Sequence, residues 1–217
     1  MRSVMAECML RARADELLAE AAGALTSESC GIAADEERPP HPEALRALEK
    51  LGIPVCETNS SMADNEQMGR ADFALTMTRQ QCYKLAGRFK DEASKCYSLV
   101  EMNGAIEMLL EAKGLELEGG DWAWEARALG EDGLLEALEG AAAEIKGIPR
   151  EKVRQIPGVD MDVRRLMTDF APCFYQASGI HDPLNGTPED MEHCARLIDG
   201  EVTALVKGLL ALAITAK

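Results

Sequence analysis

Seven cysteines stand at positions 8, 30, 56, 82, 96, 173 and 194, and a deprotonated cysteine is an effective side-chain nucleophile and metal ligand. Their number is odd and none forms a Cys-x-x-Cys pair, so the spacing suggests neither a disulfide framework nor a zinc cluster. Most of them are expected to be small buried hydrophobes in a reducing cytoplasm. The other chemically capable residues have ordinary readings when taken singly. Arg2 near the start of a helix is by default a solvated charge, and Asp182-Pro183 is by default a turn. His41 sits between two prolines as a loop residue, His181 and His193 suit surface or capping positions, and Asp35-Glu36-Glu37 suits a solvated loop. Trp122 and Trp124 are expected to anchor packing.

Net charge is -15, which repels phosphodiester backbones and anionic bilayers, so nucleic acid and membrane are not expected partners. A phosphate monoester is still compatible, because a local nest of backbone N–H groups with one arginine binds phosphate even on an acidic protein. No run reaches the roughly 18 apolar residues of a membrane span. The most apolar stretch, Val202 to Ala216, is interrupted by Thr203, Lys207 and Thr215 and reads as an amphipathic closing helix.

These residues must be positioned by short alternating elements. Met1 to Ala22 shows helical periodicity through Met5, Met9, Leu10, Leu17 and Leu18. Ala24 to Ile32 is expected as a strand ending at Gly31. Pro42 opens a helix that stops at Gly52. Ile53 to Cys56 is a second strand candidate, Ser60 to Arg70 holds a helical turn, and Ala71 to Met77 is a buried strand. Thr78 caps a helix from Arg79 to Phe89, and Lys95 to Val100 is extended. The alternation predicts an α/β fold with a small parallel sheet flanked by helices, and ligands in such folds sit at the carboxyl ends of the strands. Beyond position 100 the pattern turns helical, over Ala105 to Lys113, Glu131 to Lys146 and Arg150 to Phe170. A last helix begins at Thr187-Pro188-Glu189-Asp190, with Thr187 as N-cap and Asp190 three residues on.

Several segments taken in order resemble the low-molecular-weight protein tyrosine phosphatase family. Arg2-Ser3-Val4-Met5-Ala6-Glu7 resembles the second half of its P-loop and the helix that follows. Ser29-Cys30-Gly31, Pro40-His41-Pro42-Glu43-Ala44-Leu45, Leu51-Gly52-Ile53, Ser60-Ser61, Ala71-Asp72-Phe73-Ala74-Leu75-Thr76-Met77-Thr78 and Lys95-Cys96-Tyr97-Ser98-Leu99 then fall in family order. Asp182-Pro183 resembles the loop that supplies the general acid. The resemblance divides the chain into a phosphatase-like unit, 1–100 and 179–217, and a helical insertion, 101–178.

The resemblance implies hydrolysis of a phosphorylated protein or small phosphate ester in the cytoplasm through a phosphocysteine intermediate, with no metal and no organic cofactor. Arg2 would be the bidentate phosphate clamp, Ser3 would bond the loop or the thiolate, and Asp182 would protonate the leaving oxygen and later activate water. In the family the cysteine stands six residues before the loop arginine, whereas only Met1 precedes Arg2 here. Cys8 lies about six residues past Arg2, roughly 9 Å along a helix, and does not replace it. The missing strand and cysteine are therefore expected upstream, with Met1 a misassigned start. The 217-residue chain alone is expected to fold poorly and to lack cysteine-dependent activity. Leu184-Asn185 follow Asp182-Pro183 where the family often has an aromatic residue, leaving phosphotyrosine and other phosphorylated residues open. The alternatives are a catalytically dead phosphate- or protein-binding pseudophosphatase, or an arsenate reductase-like relative, though no cysteine pair suited to a reductive relay stands out.

Overall fold

The computed structural model describes residues 1–32, 38–56, 61–117, 120–155, 175–176, 179–180, 182–183 and 186–215. Asp35, Glu36, Glu37, Ser60, Cys173, His181, Leu184, Asn185 and the expected helix beyond Gln155 lie outside them. The first helix, α1 (Arg2–Leu18), continues into a 3-10 turn over Ala19–Ala24, and it buries Met5, Met9 and Leu18 as its periodicity predicts. Pro42 opens α2 (Pro42–Lys50), and the His41 ring Nδ1 accepts the Glu43 N–H at 3.3 Å as its cap. Asp64 and Gln67 form a reciprocal capping box on α3 (Asn65–Arg70).

Strand β1 (Ala74–Thr76) leads through α4 (Arg79–Arg88) and a 3-10 turn (Lys90–Lys95) to β2 (Cys96–Ser98). The two strands pair in parallel, Leu75 opposite Tyr97, as a strand–helix–strand crossover requires. Thr78 accepts the Gln81 N–H at 3.2 Å and so starts α4 where the sequence places it. Then follow α5 (Leu99–Ala112), α6 (Trp122–Ala128), α7 (Gly130–Lys146) and α8 (Arg150–Gln155). The antiparallel pair β3 (Tyr175–Gln176) and β4 (Gly179–Ile180) precedes the 28-residue α9 (Pro188–Thr215). Thr187 and Asp190 exchange hydrogen bonds of 2.7 and 3.2 Å at its start.

The protein is thus helix-rich around a small parallel two-stranded sheet. Two expected strands are absent, and both segments are held by other contacts. From Ala24 to Cys30 the chain is held by side chains. The Ser27 carbonyl accepts Arg11, the Ser29 hydroxyl donates to Glu7 at 2.6 Å, and Glu28 pairs with Arg70. Only Gly31 makes a strand-like contact, a parallel bridge to Met62. From Ile53 to Cys56, the Ile53 N–H closes the end of α2 on the Leu48 carbonyl, and the Cys56 N–H points at the Cys8 sulfur. Cys8 and Cys56 are joined by a disulfide, with Cα atoms 5.4 Å apart, contrary to the expectation that the cysteine spacing carries no bridge. A separation of 48 residues leaves no local signature in sequence. Trp124 also departs from its expected packing role, at 62% exposed. Trp122 packs inward and its indole N–H donates to the Leu117 carbonyl. Two residues apart on a helix point to opposite faces.

Helix α9 lies at the centre of the packing. Its Ile198, Val202, Leu205 and Leu212 share one apolar cluster with Met5 and Met9 of α1, Leu48 of α2, Met102 and Ile106 of α5, and Ile145 of α7. Its Val206 and Leu210 share a second with Leu18, Ala126 and Leu134. Gly208 sets the spacing between α9 and α5, since a Cβ there would lie 2.5 Å from Ile106 Cγ2. Helix α5 crosses positions 100 and 101 without a break, and Ser98 and Glu101 cap it reciprocally.

Between α5 and α9, Asn103 donates to the Glu201 carboxylate at 2.6 Å and to the Glu201 carbonyl at 2.9 Å. Burial raises the Glu201 pKa above its ordinary 4.5, the Asn103 bond opposes this, and Glu107 adds to it. A carboxyl group raised in the folded state contributes stability below its unfolded pKa and loses that contribution as pH rises through the folded value. Glu201→Gln, whose side-chain oxygen can still accept from Asn103, is therefore expected to melt higher than the parent at pH 7. The gap should narrow toward pH 4. Thermal denaturation across that range checks it; a variant that melts lower at pH 7 would show that the charged bond to Asn103 outweighs burial.

Candidate functional site

Arg2 is the first residue of α1 and is only 8% exposed. A guanidinium stays charged in any protein interior, so burial obliges it to find acceptors. It finds them at the far end of the sequence, donating to the Ile180 carbonyl and, at 3.1 Å, to the Asp182 carboxylate. Asp182 is 48% exposed, so the pair has one partner inside and one facing solvent, while Pro183 beside it is buried.

The segment carrying these acceptors is seated on the carboxyl end of β1. The Ile180 N–H donates to the Met77 carbonyl at 2.8 Å, and Gly179 bridges Thr78. Gly179 has φ +142°, and a Cβ on it would stand 2.0 Å from the Met77 carbonyl oxygen. Only glycine permits both the dihedral and the approach. The Thr76 hydroxyl lies between the Thr78 and Tyr97 carbonyls, at 3.0 and 3.2 Å, joining the ends of β1 and β2. At the same edge Arg79 opens α4 and bonds Glu101 of α5 at 2.6 Å.

Ser3 follows Arg2 in the first turn of α1 and is half-buried. No side chain caps this helix at Met1, and its first turn holds no acidic residue. Uncapped amides and the helix dipole favour an anion there. Cys194 of α9 feels both Arg2 and Asp182, yet its thiol is pushed up to about 11, chiefly by burial. Cys30 is likewise pushed up, first by burial and then by Glu28. Neither is suited to act as a thiolate near neutral pH, and Cys8 is bonded to Cys56.

The structure therefore brings Arg2 and Asp182 into direct contact at the carboxyl end of the parallel strands, with Ser3 one residue from that contact. Sequence reasoning missed the Ile180 carbonyl as a partner of Arg2, the seating of Gly179, and the Arg79–Glu101 pair. The first two have no signal in a local pattern. The third does, because Ser98 and Glu101 read as a capping box that fixes Glu101 at a helix start. Among the described residues no group of His, Cys, Asp and Glu could hold a metal ion, and no helix is long and apolar enough to cross a membrane.

A family model described as low molecular weight phosphotyrosine protein phosphatase matches residues 1–113, just over half of the 217 residues. No curated protein and no solved structure matches the chain. The match takes in Arg2 and Ser3, both strands of the parallel sheet and the whole of α5, and the chain belongs to the low molecular weight phosphotyrosine protein phosphatase family.

Proposed function

We propose that the protein handles phosphate monoesters at Arg2 and Asp182, and that in a form carrying the family's cysteine it hydrolyses them through a phosphocysteine intermediate. The observation that carries this reading is the contact between Arg2 and Asp182, residues 180 apart in sequence, on the carboxyl edge of the sheet. Arg2 would clamp the phosphate through its guanidinium, aided by Ser3 and the first amides of α1. Asp182 would be the general acid. An arriving phosphate dianion would compete with it for the donors of Arg2. The role asks it to give a proton to the leaving oxygen and afterwards take one from water. The thiolate would come from a cysteine six residues before Arg2, in chain preceding Met1. The domain division belongs to the same proposal: 1–100 and 179–217 as the phosphatase-like unit, 101–178 as a helical addition.

A second reading is a phosphate- or protein-binding member that does not hydrolyse. One observation favours it: among the described residues, no cysteine near Arg2 offers a thiolate, since burial pushes the Cys194 thiol up to about 11. The coding DNA upstream of Met1 separates the two readings. An in-frame strand ending in a cysteine six residues before Arg2 supports the hydrolase, and a stop codon without it supports the binding protein.

Two variants of a protein extended to include that cysteine test the roles. Asp182→Asn is expected to slow turnover by roughly two to four orders of magnitude, most on esters with poor leaving groups. Equal activity of variant and parent on such esters would remove Asp182 from the mechanism. Gly179→Ala must lift the 179–182 segment off Met77, so it is expected to lower both kcat and the melting temperature. Unchanged values of both would show that this seating does not position Asp182.

A further inference from the structure

Cys8 and Cys56 lie apart from the Arg2–Asp182 contact, and nothing in phosphate chemistry uses them. Cys8 is on α1 and fully buried, while Cys56 is half-buried at the end of the segment that follows α2. Their Cα atoms are 5.4 Å apart, inside the usual range for a disulfide, so neither backbone needs to move for the bond to form or open. The backbone N–H of Cys56 points at the Cys8 sulfur, 3.1 Å away. That donor stabilises negative charge on Cys8 when the bond is open, which a displacing sulfur requires. Cys56 is the less buried of the two residues, so an oxidant or a reductant approaches from its side and Cys8 is the shielded partner. Accessible disulfides are the ones open to exchange.

We propose that Cys8 and Cys56 form a reversible dithiol–disulfide pair that takes oxidising equivalents from hydroperoxides and, when oxidised, covalently fixes α1 to the segment after α2. In the first step the Cys56 thiol releases its proton to water and the thiolate attacks the outer oxygen of the hydroperoxide. An S–O bond forms, the O–O bond breaks, and the departing alkoxide or hydroxide takes up a proton from water to leave as an alcohol or water, giving a sulfenic acid at Cys56. In the second step the Cys8 sulfur attacks Cys56. The S–S bond forms, and hydroxide leaves as water with the proton from Cys8. Two thiols are oxidised by two electrons and one hydroperoxide is reduced by two. A dithiol reductant reverses the bond by exchange. Arg2 lies six residues before Cys8 on the same helix, so the bond stiffens the element that presents it. The chemistry at sulfur does not rest on the phosphatase reading.

The test uses the full 217-residue chain. Prepared reduced and treated with hydrogen peroxide, it should lose two maleimide-reactive thiols, and peptide mapping should recover Cys8 linked to Cys56. Oxidation should raise the melting temperature by on the order of 5–10 °C, and hydrogen exchange should slow over α1 and over 53–56. Native-state treatment with dithiothreitol should restore both thiols and the lower transition. Cys56→Ser, at the half-buried position, should abolish the peroxide-dependent shift, and so should Cys8→Ser if the buried hydroxyl is tolerated. Cys30→Ser should keep it. Three results would overturn the proposal: a different linked pair in the map, a shift that survives Cys56→Ser, or a bond that dithiothreitol opens only after unfolding.

Discussion

A buried guanidinium cannot give up its charge, and Arg2 is the first residue of the first helix. Everything that satisfies it must be brought to it, and its acceptors are 178 and 180 residues away. That constraint organises the protein. For the Ile180 carbonyl and Asp182 to arrive, Gly179 and Ile180 must lie across the end of β1, which they do through the Met77 carbonyl and the one residue type that fits, Gly179. For Arg2 to be waiting, α1 must be held against the sheet, and helix α9 holds it.

The hold of α9 on α1 is both apolar and ionic. Met5 and Met9 pack with Ile198, Val202 and Leu205 in a shared cluster. One turn beyond them, Arg13 grips Asp199 with two parallel bonds of 3.0 and 2.7 Å, the planar fork geometry that lysine cannot reproduce. Asp199 is partly shielded, so this pair resists solvent screening better than the pairs at the rim. Cys194, on the same face of α9, is close enough to Arg2 and Asp182 to feel both charges, and burial keeps it protonated. The same helix therefore secures the Arg2 side of the site and supplies a neutral wall to it.

Much of the helical framework was legible because helix ends have local chemistry. Pro42, Thr78 and Thr187 each mark a start that the hydrogen bonds bear out, and 3.6-residue periodicity marks the buried faces of α1. Strand ends have no such local chemistry. Ala24–Ile32 reads as extended, but Ser27, Glu28 and Ser29 have partners on α1 and α3 that sequence does not reveal, and the segment is held by these rather than by a strand neighbour. Arg2, Ser3 and Asp182 are candidates for the site through family order alone. Their contact, the role of Gly179 and the Cys8–Cys56 bond depend on tertiary approach, which leaves no spacing rule to read.

The central position of α9 also bears on how the chain reaches its fold during synthesis. Helix α9 supplies residues to both apolar clusters that surround α1, and α1 is made long before it. Until residues 188–215 have left the ribosome, the apolar faces of α1, α5 and α7 have no common partner. The nascent chain carries that uncovered surface while residues 19–187 are added, at about 5–20 residues per second. Contacts spanning so much sequence also slow the final collapse, because long loops must close before they are rewarded. Burial of the apolar faces of α1, α5 and α7 is therefore a late event in synthesis, made when α9 arrives.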